Sequence, residues 1–244
     1  MTIRNRWMGS VALACLLLAL PPAATAQQTD LQHYDVYAGF GGFETPWLNL
    51  AQRGFHTQIG DNVRPWLAIG FDYSEAGGHN ALTPRVLKPS LQQELGAELA
   101  LLVQAGAIPA NYQLVVPLHA FSETFALGPQ LEYRHFKPVT LFVRPSLGAI
   151  RQRVTPHPTD PIQAAVVAQL VPAGTKLDWQ GFYGFGGGLD WNATKHLGVR
   201  AQADQVYWRL FNDLLAQGTW TTRYAGGLTY HFGGNIMAKR QAGF

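Results

Sequence analysis

The chain has 244 residues, a formal net charge of +3, 14% charged residues and a single cysteine. With no basic run, nucleic acid is excluded as a partner. Apart from the N-terminal segment, no stretch reaches the roughly 20 apolar residues of a membrane helix, yet a strand barrel escapes that test because only alternate residues face lipid.

Residues 1–26 read as a secretory signal peptide. Arg4 and Arg6 form a positive start, Val11 to Leu20 an apolar core, and Ala24-Thr25-Ala26 a small-residue cleavage site near Ala26. Removing the two arginines lowers the formal charge from +3 to +1. Cys15 lies in the apolar core and fits a lipoprotein box poorly. The mature chain then has no cysteine for disulfides, thiolate ligands or a nucleophile.

Eight segments alternate with the period of a β-strand. The first is His33 to Gly42, with Tyr34, Val36, Ala38 and Phe40 on one face and Asp35 and Tyr37 on the other. A loop, Phe43 to Arg53, leads to Gly54–Gly60. The turn Asp61 to Arg64 precedes the third strand, Pro65–Ser74, where Leu67, Ile69, Phe71 and Tyr73 oppose Asp72 and Ser74. A long excursion from Glu75 to about Leu118 follows. Within it, Ser90 and Gln93 have capping-box spacing ahead of Leu91, Leu95, Leu99, Leu102 and Val103, which predicts a short amphipathic helix.

The fourth strand, Ala120–Arg134, places Glu132 and Arg134 opposite Leu127, Leu131 and Tyr133. The fifth, Val139–Arg151, carries Arg144 opposite Leu141 and Val143; Pro145 inside it predicts a bulge or bend. Asp160-Pro161 predicts the start of a second helix, with Ile162, Val166 and Leu170, in the loop 152–176. The sixth strand, Asp178–Trp191, carries Asp190 opposite Tyr183, Phe185, Leu189 and Trp191. The seventh, His196–Tyr207, carries Arg200 and Asp204 opposite Leu197 and Val199. The eighth, Thr219–Phe232, sets Tyr224, Leu228, Tyr230 and Phe232 against Arg223, Thr229 and His231.

The connections are read as long and short in alternation, with both ends of the barrel on the short-turn side. The large aromatics occupy one face, while the other is dense in Gly, Ala and Ser. Small residues suit a narrow interior better than a solvated exterior. The expected fold is therefore all-β: an eight-stranded antiparallel transmembrane up-and-down barrel with short helices in its outer loops. Its parts are a signal peptide at 1–26, the barrel at 27–232 and a periplasmic tail at 233–244. A soluble barrel with its apolar face inward is the competing arrangement.

The segments Phe125-Ala126-Leu127-Gly128-Pro129-Gln130, Val139 to Val143, Gly186 to Asp190 and Thr229-Tyr230-His231-Phe232 resemble the small outer-membrane β-barrel family of the OmpA/OmpX type, nearest its acidobacterial-type members. The resemblance spans the mature chain and implies a fold, not an activity. The long loops and the tail after Phe232 depart from the smallest members.

The inward face is expected to hold a polar network of Asp35, Asp72, Glu132, Asp190 and Asp204 with Arg134, Arg144, Arg200 and Arg223. Eight strands leave an interior just wide enough for side chains, so the network mostly fills it. Tyr224, Leu228, Tyr230 and Phe232 are expected to form a lipid-facing assembly signal. The expected role is structural or surface-binding, in a monomer of the bacterial outer membrane. Its partners would be outer-membrane lipid, the barrel-assembly machinery and, through the long loops, an extracellular ligand. A porin-like narrow channel is the alternative. A lipid-modifying enzyme is the third reading, weakened because His119 and Ser122 are three apart and point to opposite faces. No catalytic residue, metal or cofactor is expected: no histidine cluster has ligand spacing, the Gly184–Gly188 run precedes no helix, and the sequon at Asn192 falls in a tight turn.

Overall fold

The computed structural model describes residues 30–237. The proposed signal peptide, its cleavage site and the tail from residue 238 onward lie outside the described residues. Eight strands close into one antiparallel barrel in sequence order. They are β1 (Gln32–Thr45), β2 (Leu50–Arg64), β3 (Leu67–Leu82), β4 (Val116–Tyr133), β5 (Val139–Pro156), β6 (Lys176–Asn192), β7 (Leu197–Trp208) and β8 (Thr219–Asn235). Two helices lie in the long connections: α1 (Pro89–Gln104) and α2 (Pro161–Leu170).

Every strand alternates as its residues dictate. Within the belt most aromatic and aliphatic side chains point outward and polar or small ones inward, with Tyr37, Phe142 and Phe182 as inward exceptions. Phe40 is 84% exposed and Leu228 65%, while Asp35 and Arg200 are buried. A soluble barrel would invert that arrangement. The large outward side chains form an apolar belt bounded by two tiers of touching aromatics. Near the short turns, Phe232 lies against Tyr34 and Tyr230, and Tyr133 against Phe136. Toward the loops, Phe55, Tyr73, Phe125 and Trp179 form one chain of rings, and Tyr183, Tyr207 and Trp220 another. On β6 the two tiers are marked by Trp179 and Trp191. Twelve steps at about 3.3 Å, tilted about 40°, give roughly 30 Å of height, enough to span the ~25 Å apolar band of a membrane barrel.

The strands are longer at the loop end than their alternation predicts. β3 continues to Leu82 and pairs with β4 from Val116, and β5 continues to Pro156. Above the belt the outward face turns polar, so the hydrophobic period fades while the backbone ladder goes on. The first connection, expected to be long, is only the helical turn Pro46–Leu48 and Asn49. The turn between β2 and β3 is Pro65-Trp66, not residues 61–64. The other loop-end connections remain long.

Pro145 produces a gap, not a bulge. The β4–β5 ladder stops at Leu127↔Leu147 and resumes at Leu131↔Val143 with unchanged register. That register sets Pro145 opposite Pro129, and neither has an N–H to donate. A bulge occurs instead where the barrel closes. Tyr34 faces Phe232 but Gln32 faces Asn235, so β8 carries an extra residue there. Gly233 takes φ +97°, a backbone open to glycine. The last strand therefore runs three residues past Phe232, into what was expected to be tail.

Helix α1 begins at Pro89 with Lys88 as its N-cap and no capping side chain, so Ser90 is inside the first turn rather than the cap. Gln92 does the fastening, donating Nε2 to the carbonyl of Leu87 at 2.7 Å. Helix α2 starts as expected: the Asp160 carboxylate accepts the Gln163 N–H at 2.8 Å. That bond, a fixed charge–dipole contact at the helix start, holds the Asp160 carboxyl below its usual range, aided by the Tyr112 hydroxyl. A depressed carboxyl stabilises the fold above the ordinary aspartate pKa, and that stability is lost as pH falls through the lowered value. Amide protection factors at residues 162–167 should therefore fall only in acid, and Asp160→Ala should show the lowered protection already at neutral pH.

Candidate functional site

The nine charged residues expected inside all project into the barrel interior. Alternation puts them there, and the sheet's closure brings distant strands together. Asp204 on β7 is the hub of the upper cluster. It takes Arg144 from β5 through two bonds, Nε at 3.2 Å and Nη2 at 2.7 Å, and Arg223 from β8 at 2.8 Å. Asp72 on β3 holds the same two arginines from the opposite wall, at 3.1 and 3.3 Å. Two guanidinium groups thus lie between two carboxylates across the full width of the lumen.

A second cluster lies nearer the short turns. Arg200 grips Asp190 with Nε at 2.6 Å and Nη2 at 2.8 Å, and reaches Asp35 at 3.6 Å. Its guanidinium stacks over the Phe142 and Tyr37 rings at 5.0 and 5.7 Å. Below it, Glu132 pairs with Arg134, which also donates to Asn62 at 2.9 Å. Such buried ions persist only because each is paired and hydrogen-bonded.

Gln58 joins these groups and was not singled out from the sequence. Its Oε1 accepts from both Arg144 at 3.2 Å and Arg200 at 3.0 Å, and its Nε2 donates to Gln130, which donates to Glu132. The signal was available: Gln58 is inward by period. A census of charges passes over amides.

Glycines on the wall make room for this packing. A Cβ at Gly186 would stand 1.8 Å from Asp204 Oδ1 and 2.7 Å from the Ala203 carbonyl. Gly186→Ala should therefore displace the hub carboxylate and destabilise the folded barrel by about 1–3 kcal/mol in a urea titration. A control at Gly96 on α1, where a Cβ meets nothing, should not be destabilised.

The expectation of a polar lumen holds for only part of its height. Above Arg223, whose guanidinium sits 5.0 Å over the Phe182 ring, the interior turns largely apolar, with Gln52, Ser122 and Gln152 bonded to one another at its wall. Phe182, Ile150, Val206, Trp208, Leu210, Phe211 and Leu215 form one buried cluster. The outer loops fold down into it. Leu87 bridges Leu215, and Lys88 N–H donates to the Leu214 carbonyl at 2.8 Å. A second cluster seats α1 and α2 on the rim through Leu95, Leu114, Val116 and Val166. Much of the apolar loop surface is thus a lid. Strand limits placed too low hid this layer, because Leu82, Leu118 and Val154 were read as loop residues.

His119 and Ser122 lie on opposite faces, as their spacing requires. His119 rests against His79 at 4.9 Å, while Ser122 is buried and donates to Gln52 at 3.0 Å. Tyr224, Leu228, Tyr230 and Phe232 all point outward and are exposed.

No protein-family model matches the chain, and no curated protein matches its sequence. Among solved structures it is similar to Neisserial surface protein A, with 10% identity, a TM-score of 0.49 and coverage of 82% of this chain and 96% of that one. It is also similar to Ail, the attachment invasion locus protein of Yersinia pestis, at 9% identity, TM-score 0.46 and coverage of 83% and 99%. A major outer membrane protein from Thermus thermophilus is similar at 12% identity, TM-score 0.48 and coverage of 81% and 99%. At such identities no side-chain chemistry passes from these proteins to this chain.

Proposed function

We propose that the chain is an integral barrel protein of the bacterial outer membrane, sealed to solutes, with a structural or surface-binding role. The carrying observation is the interior: a cross-lumen network of paired arginines and carboxylates lies beneath an apolar layer continuous with the loops. A conducting path would have to break both. The membrane placement is supported by the outward apolar belt and its two aromatic tiers, which would be costly in water and suit lipid. On this reading the protein is a monomer, and outer-membrane lipid surrounds it. The assembly machinery recognises its last strand through Tyr224, Leu228, Tyr230 and Phe232, and an extracellular ligand meets the loops.

The test is conductance in a planar bilayer, after a heat-modifiable gel shift confirms folding. The expected result is a folded, silent barrel. Discrete openings that change when Arg144 or Glu132 is neutralised would replace this reading with the narrow channel. One observation favours that second reading. A polar cavity of about 190 Å³, lined by Arg134, Lys137, Asn192, Lys195 and His231, enters the lumen from the short-turn end. The Arg200–Asp190 cluster, the Arg144–Asp204 cluster and the lid above them would still have to move. Folding in plain buffer without detergent or lipid would overturn the membrane assignment.

A further inference from the structure

The apolar layer at the loop end is incompletely filled. A cavity of about 80 Å³ lies between the barrel wall and the lid. Leu50, Leu118 and Val154 line it from the strands, and Leu87, Phe211 and Leu215 cover it. On this measure roughly 10–15 Å³ holds one water, so the chamber has room for several waters or one small organic molecule.

The polar groups at its wall are already engaged. Asn80 donates Nδ2 to the Leu48 carbonyl at 2.6 Å, and its Oδ1 accepts the Ala81 N–H at 2.7 Å. Gln152 donates to Ser122 at 3.0 Å. Lys176 is paired with Asp213. A water cluster needs two to four polar partners per molecule, and this wall has few left to offer. An anionic head would have to take Lys176 from Asp213. A neutral apolar molecule displaces no bond and gains contact with aliphatic side chains on every side.

The cover is built as a separable piece. It spans the segment from Phe211 to Leu215, tied to the rim of α1 by the Leu87 bridge and by Ala216 N–H to the Val86 carbonyl at 3.1 Å. Phe211 holds a left-handed backbone, φ +51°, which a bulky residue adopts only under constraint. Its N–H donates to the Asp178 carboxylate at 2.5 Å. A few backbone bonds, the Asp178 contact, one exposed ion pair and the burial of Phe211 and Leu215 in the apolar cluster hold the lid over the chamber.

We infer that this chamber is a binding site for a small neutral apolar molecule, of the size of a single aromatic ring or a short branched alkane, taken up under the Phe211–Leu215 lid. The site is independent of whether the lumen below conducts.

Fluorobenzene is a suitable probe, titrated into the full mature chain in lipid nanodiscs with methyl groups labelled for NMR. The expected result is saturable shifts of the Leu118, Val154 and Leu215 methyls. The lipid-facing Leu147 and Val199 methyls should show only the linear drift of a probe dissolved in lipid. Leu118→Trp, which fills the chamber, should abolish the saturable component. Val154→Phe serves the same purpose if the first variant does not fold. Chamber methyls that do not move, or that drift linearly with the lipid-facing ones, would overturn the site. Saturation by octanoate but not by fluorobenzene, with the Lys176 signals moving, would overturn the neutral class. Saturation that survives in a folded filled variant would place the probe elsewhere and also overturn the proposal.

Discussion

Asp204→Ala should destabilise the folded barrel by about 3–5 kcal/mol, measured by urea titration in lipid vesicles with the gel shift as readout. The reason is geometric. Asp204 accepts three hydrogen bonds from two arginines, and all three side chains are buried. Its removal leaves Arg144 and Arg223 facing each other with only Asp72 between them. The cost is that of an uncompensated buried charge, which exceeds the net worth of the pair itself. Glu123→Ala is the matched control. Glu123 pairs with Arg151 at 3.0 Å, but both side chains are partly exposed. Water can replace either partner there, so the loss should stay below about 1 kcal/mol. Comparable losses in the two variants would show that the lumen network is as well hydrated as the surface pair. That result would also undo the sealed interior. Asp204→Asn tests the charge separately: it keeps an acceptor for one guanidinium and should fall between the two.

The same residues show what alternation reveals and where it stops. Arg144, Arg200 and Asp204 could be assigned inward because each sits out of phase with a run of large outward side chains. Period alone decides that, without knowing the partner strand. Which carboxylate meets which arginine depends on register. Pairing Asp204 with Arg223 and Gly186 follows from the hydrogen-bond ladder, which no single strand contains. Gln58 escaped notice for a different reason, since its role comes from where two clusters approach each other. The apolar upper lumen was missed because the period changes meaning there. Below the outer aromatic tier, apolar means outward except where a ring such as Tyr37 or Phe142 packs on a lumen arginine. Above it, Leu82, Leu118 and Val154 are apolar and inward, packed against the loops, and the outward face meets water. A rule learned on the belt fails at its edge. Of the bulge or bend predicted at Pro145, no bulge forms, because its effect on the ladder depends on Pro129, which the opposite strand supplies.

The depth of the belt supplies the sharpest test of the exterior. Leu228 lies on the outward face of β8 between Trp220, in the outer aromatic tier, and Phe232, in the inner one. It is therefore inside the apolar band, two residues to the short-turn side of its middle at Gly226, between Val199 on β7 and Ala38 on β1. Arginine there has no polar neighbour within the wall and should cost about 2–4 kcal/mol in lipid. Tyr230 is two residues nearer the short turns, beside Phe232 and the His196 ring. A long arginine at that level reaches the headgroups, so Tyr230→Arg should cost less, toward about 0–1 kcal/mol. Thr229 faces inward between them and is fully buried. Thr229→Ser removes only a methyl group and should remain mild. Folding free energies of the three variants in vesicles should therefore rank Leu228→Arg well above the other two. The gradient between 228 and 230 is the informative part. A soluble barrel would accept arginine at either exposed position without loss. A barrel seated about one residue pair deeper or shallower would shift the maximum along β8. Equal tolerance at Leu228 and Thr229 would overturn the assignment of the outward face to lipid.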